Sequence, residues 1–82
     1  MIQAARTQQQ LGVALSRYRK KQGISQAELG SRICKRQATV SNLETAGSAT
    51  LDTLFVVLSA LELELVIQSR RKFDILKFGE IF

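Results

Sequence analysis

The chain has 82 residues, 45% apolar and 23% charged, with a net charge of +5 at pH 7. This is one small domain, neither disordered nor fibrous. With no His and a single cysteine, Cys34, it lacks Ser-His and Cys-His nucleophile pairs, an intramolecular disulfide and a zinc-ligand set, so no cofactor or metal is expected.

Residues 1–9 are polar and glutamine-rich and read as a flexible N-terminal arm, without the apolar core of a secretion signal. The domain is expected over 10–69. From Gln10 to Gln22 the apolar residues Leu11, Ala14, Leu15 and Tyr18 fall at i, i+3, i+4, i+7, one stripe on a helix. Arg17, Arg19, Lys20 and Lys21 load its C-terminal end, which suits the helix dipole, and Gly23 stops it. Ser25-Gln26-Ala27-Glu28 reads as a capping box that opens a short second helix ending near Arg32 or Ile33, with Leu29 and Ile33 as its inner edge.

A third helix is expected from about Arg36 to Thr45. Val40 and Leu43 are its only large apolar residues, and Arg36, Gln37, Thr39, Ser41 and Asn42 form the opposite face. Thr50 caps a fourth helix, where Leu51, Leu54, Phe55 and Leu58 repeat at i, i+3, i+4, i+7 beside Val57 and Leu61.

Residues 63–68 alternate at period two, with Leu63, Leu65 and Ile67 on one face and Val66 between them. A lone strand leaves its N–H and C=O rows unpaired, and no second strand lies nearby. Pairing with the same strand of another copy solves this and makes a homodimer; the alternative is that 63–68 prolongs the fourth helix. A chain this short buries only about 60% of its unfolded surface, so a partner copy helps. Residues 70–82 form an apolar and basic tail, with Phe73, Phe78 and Phe82 beside Ile75, Leu76 and Ile81. The tail folds back on its own dimer, docks into a partner, or is a disordered end. No apolar run reaches the ~18 residues of a membrane span, so a soluble protein is expected.

The basic excess is local. Residues 1–45 carry Arg6, Arg17, Arg19, Lys20, Lys21, Arg32, Lys35 and Arg36 against Glu28 and Glu44, whereas 46–69 carry no basic residue. A positive field confined to one part of a fold points to a polyanion. Two short helices about three residues apart, the second with a small, amide-rich face, follow the helix-turn-helix plan. Gln and Asn can pair with adenine edges and Arg with guanine, and small residues let the backbone approach. Gln26, with Ala27 beside it, sits where an amide can hold a phosphate.

The stretch SQAELGSRICKRQATVSNLE (25–44), followed by TLDTLFVVLSALELELVI (50–67), resembles the lambda-repressor-type (Xre) helix-turn-helix family and, within it, the HipB-like antitoxins of HipA–HipB modules. The resemblance implies an all-α helix-turn-helix domain of four to five helices with one C-terminal β-strand pairing across a homodimer. It implies a cytoplasmic, nucleoid-associated, non-enzymatic protein that binds double-stranded operator DNA, represses its own operon and restrains a HipA-like Ser/Thr kinase. It places Arg36, Gln37, Ala38 and Ser41 at base or phosphate contacts, with Thr39 and Asn42 as neighbours. Gln26 matches a phosphate-binding Gln that braces Gln37. Glu44 is expected to cap or pair within the domain. Leu63, Leu65, Val66 and Ile67 would form the dimer strand, and Phe78, Ile81 and Phe82 would meet the kinase.

The chain departs from the family pattern at three positions. Cys34 replaces a turn Gly, Lys35 replaces an apolar residue, and Gly30 replaces an Ala, which is expected to cost the second helix up to ~1 kcal/mol. Two other functions fit the same pattern: a stand-alone Xre-type repressor, and an interaction subunit that neutralises a toxin while binding DNA weakly. No phosphate loop or nucleophile–base pair supports an enzyme.

Overall fold

The computed structural model describes residues 3–70, which form four helices: α1 (Gln8–Lys21), α2 (Gln26–Arg32), α3 (Gln37–Ala46) and α4 (Leu51–Ala60). Helix α1 begins at Gln8, two residues before the expected start at Gln10, so residues 8 and 9 belong to the helix and not to the N-terminal arm. Thr7 caps it, accepting from the Gln10 N–H at 3.1 Å, and the Gln10 side chain accepts from the Arg6 N–H at 2.7 Å. Gly23, at φ 74°, ends α1 in the left-handed region, where a Cβ is penalised. Ser25 caps α2 as expected, taking the Glu28 N–H at 3.0 Å. The reciprocal half of the capping box does not form: the Glu28 carboxylate pairs forward with Arg32 at 2.9 Å.

The core is Leu15 of α1, Ile24, Leu29 and Ile33 around α2, Val40 and Leu43 of α3, and Leu54, Val57, Leu58 and Leu61 of α4. Helix α3 packs mainly against α1 and α2. Gly12 makes the α1–α3 approach possible, because a Cβ there would overlap the carbonyl oxygens of Leu43 and Glu44. Gly30 has a similar use. Its carbonyl accepts from the Lys35 N–H at 2.8 Å, and an added Cβ would stand 2.8 Å from the Lys35 carbonyl oxygen. The glycine therefore gives the turn the room it needs, against its cost in helix propensity.

The stripe on α4 is displaced from the expected one. Leu54, Val57, Leu58 and Leu61 are buried, while Leu51 and Phe55 lie on the open side, 72% and 51% exposed. Helix α4 stops at Ala60, with Glu62 in the left-handed region at φ 58°, so residues 63–68 do not prolong it. Leu63 returns to pack on the core, its N–H bonded to the Leu58 carbonyl at 2.8 Å. Residues 64–68 then run on without helix or paired strand, and their backbone makes no hydrogen bond with any described residue. Among the described residues, no helix is long and apolar enough to cross a membrane.

Candidate nucleic-acid interface

Helix α3 has two unlike sides. Val40 and Leu43, each 1% exposed, bury its inner edge. Gln37, Ala38 and Asn42 are exposed on the outer side, and Thr39 and Ser41 are half-buried at its margins. Arg36 is the N-cap residue at φ −73° and ψ 151°, and its side chain makes no capping bond. Its carbonyl accepts from the Thr39 N–H at 3.0 Å, which starts the helix. The guanidinium of Arg36 and the amides of Gln37 and Asn42 are thus unengaged, solvated and able to meet an external partner.

The turn before α3 is tight. Cys34 takes φ 58°, a left-handed conformation that costs a side chain what it would not cost the family's glycine. Lys35 is exposed, so the family's apolar contact is replaced by a cation next to Arg36. Together with exposed Arg6, Arg17, Lys20 and Lys21, these cations supply the positive field read from the sequence.

Arg19 is not part of that field. It is buried, and its guanidinium is fully used: Nε donates to Glu44 Oε2 at 2.6 Å, Nη2 to Glu44 Oε1 at 3.0 Å, and Nη1 to the Ile24 carbonyl at 2.6 Å. Glu44 therefore pairs within the domain, as expected, but its partner comes from α1. Burial pushes the Glu44 carboxyl up, yet the hydrogen bonds from Arg19 and Gln26 outweigh it and hold the group below the ordinary Glu value. The bond to Glu44 correspondingly raises the Arg19 guanidinium.

Gln26 is placed differently from the family reading. Its Nε2 donates to Glu44 Oε1 at 3.0 Å, and no bond joins it to Gln37. It is half-buried beside exposed Ala27 at the start of α2. Leu65, Val66 and Ile67 are 49%, 64% and 94% exposed, whereas Leu63 lies partly within the core of its own chain. Phe78, Ile81 and Phe82 lie outside the described residues.

Two features escaped the sequence reading. Arg19 looks like one more cation in a basic helix end, and nothing in its local spacing marks a partner 25 residues away. The Thr7 cap, in contrast, was signalled by Thr7-x-x-Gln10, the spacing of a capping box, and was hidden by the surrounding glutamines.

The helix-turn-helix family matches residues 15–67. The Antitoxin HipB of Escherichia coli (strain K12) is 39% identical over 59 residues, which span 71% of this chain and 67% of that protein. The solved HipA-HipB-O2-O3 complex contains a chain at 34% identity and TM-score 0.78, covering 85% of this chain and all of that one. The HipB-O4 20mer complex aligns equally well, with TM-score 0.78 and 34% identity over 85% of this chain and all of the other. Sequence and fold agree that this chain belongs to the helix-turn-helix family and, within it, to the HipB antitoxins.

Proposed function

We propose that the chain is a sequence-specific DNA-binding antitoxin that represses its own operon and neutralises a HipA-type Ser/Thr kinase. The observation that carries the DNA half is the outer side of α3. Arg36, Gln37, Ala38 and Asn42 stand exposed on a helix whose inner edge is fixed in the core, and the exposed cation Lys35 directly precedes them. Such a face suits the major groove, where bases are distinguished by donor and acceptor patterns. Arg36, Gln37 and Ser41 then contact base edges or nearby phosphates, with Ala38 allowing close approach and Thr39 and Asn42 alongside. Gln26 and Ala27 meet the sugar–phosphate backbone.

Two-fold presentation follows from the exposed apolar residues. Leu65, Val66 and Ile67 at the end of the domain, and Leu51 and Phe55 on α4, are more apolar surface than an 82-residue monomer comfortably leaves in water. Strand pairing between two copies along 64–68, with Leu63 held in its own core, satisfies the backbone and covers part of this surface. The kinase half rests on kinship with HipB, which has been solved together with HipA. Phe78, Ile81 and Phe82 are the residues assigned to that partner. A protein acting in this way works in the cytoplasm, on the nucleoid.

Two titrations test the reading. The protein should bind a duplex from its own promoter about 10³-fold or more tightly than random DNA of the same length. It should also abolish substrate phosphorylation by a HipA-type kinase encoded beside it. Equal affinity for both duplexes would refute the repressor reading, and an unaffected kinase would refute the antitoxin reading.

A further inference from the structure

The Arg19–Glu44 pair is the most deeply buried charge pair among the described residues, yet its carboxylate does not serve Arg19 alone. Glu44 Oε1 accepts from both Arg19 Nη2 and Gln26 Nε2. Three helices are joined through one oxygen: Arg19 from α1, Gln26 from α2 and Glu44 from α3. An ionised carboxylate only accepts hydrogen bonds. It therefore dictates which end of the Gln26 amide faces inward: Nε2 must point at Glu44, and Oε1 cannot. The amide nitrogen carries two protons, and Glu44 takes one of them. The second is unclaimed on a half-buried side chain at the start of α2, beside exposed Ala27. A phosphate oxygen accepts such a proton, whereas a flipped amide would turn its own oxygen toward that phosphate and repel it.

We propose that Glu44, clamped by Arg19, is a positioning residue for DNA: it fixes the Gln26 amide so that the second N–H is presented to a backbone phosphate. The inference rests on the DNA-binding reading above and deepens it. Glu44 itself, 8% exposed, touches no DNA. Its effect is to spare Gln26 the ordering of its side chain on binding, and to tie the phosphate contact of α2 to the pose of α3. A free Gln side chain on the same surface would sample both amide orientations and lose part of the contact.

The test uses the full-length protein and a duplex that the wild type selects from random-sequence DNA. Ethylation of phosphates one at a time maps those the protein needs. Wild type should show one phosphate per half-site whose ethylation ceases to matter in Gln26→Ala. Arg19→Met combined with Glu44→Met replaces the buried pair by apolar groups of similar volume, which proteins often tolerate. This variant should lose sensitivity at the same phosphate and bind about tenfold more weakly, and adding Gln26→Ala should weaken it no further. A folded variant that keeps the wild-type ethylation pattern, or weakens binding evenly at all phosphates, overturns the proposal.

If the variant does not fold, the Gln26 side-chain NH₂ signals of the wild type decide. One proton should be protected from exchange in the free protein, and the other should shift when the duplex is added. Two protons exchanging as in an exposed glutamine overturn the proposal. Failure of the wild type to select any sequence would instead bring down the DNA-binding reading, and this inference with it.

Discussion

Truncating Glu44 to alanine removes the acceptor of three hydrogen bonds and strands Arg19 at 7% exposure. An uncompensated buried charge costs about 3–5 kcal/mol, a large share of the 5–15 kcal/mol that holds a typical domain together. Urea denaturation of Glu44→Ala should show that loss, and a change below 1 kcal/mol would mean that water already reaches the pair. The same pair makes stability depend on pH. Glu44 titrates below its ordinary value of 4.5 in the folded chain, where hydrogen bonds from Arg19 and Gln26 overcome the opposing effect of burial. A carboxyl with a depressed folded pKa adds stability above its unfolded value and loses it as pH falls through the folded one. Wild type should therefore lose stability between about pH 5 and pH 3 faster than the Arg19→Met, Glu44→Met double variant. Parallel pH profiles would contradict this assignment.

At the scale of elements, periodicity and caps located all four helices, because Ser25, Thr50 and Gly23 act within a turn of their own positions. Two kinds of information were out of reach. The displaced stripe of α4 arises because six large apolar residues crowd a ten-residue helix, so its own spacing cannot say which of Leu51, Phe55 or Val57 faces the core. The Arg19–Glu44–Gln26 junction depends on α1, α2 and α3 meeting, which no local pattern encodes. The candidate face of α3 was legible because small and amide residues opposite Val40 and Leu43 define it within the helix itself. The α1–α3 contact also makes a prediction. Gly12→Val drives branched carbons into the Leu43 and Glu44 carbonyls and should cost about 1–3 kcal/mol in thermal or urea unfolding, despite the poor helix propensity of the glycine it replaces. A neutral or stabilising result would show that α1 and α3 are free to separate.

At the scale of the whole molecule, the proposed dimer turns one reading helix into two. Ile67, 94% exposed in the single chain, is placed in the shared ribbon. Ile67→Asp puts a charge beside its own copy and should shift sedimentation from dimer to monomer while leaving the α-helical signal intact. A dimer of undiminished stability would remove the ribbon from the account. Two-fold symmetry further predicts protection of two half-sites about 34 Å apart on one face of the duplex. The most direct test of the central claim, that the outer side of α3 reads bases, is the affinity of Gln37→Ala for the selected operator and for its single-base variants at two salt concentrations. Binding should weaken by about 1–3 kcal/mol and base preference should relax at one position per half-site, with the salt dependence unchanged. Wild-type affinity and an unaltered preference at every position would contradict it.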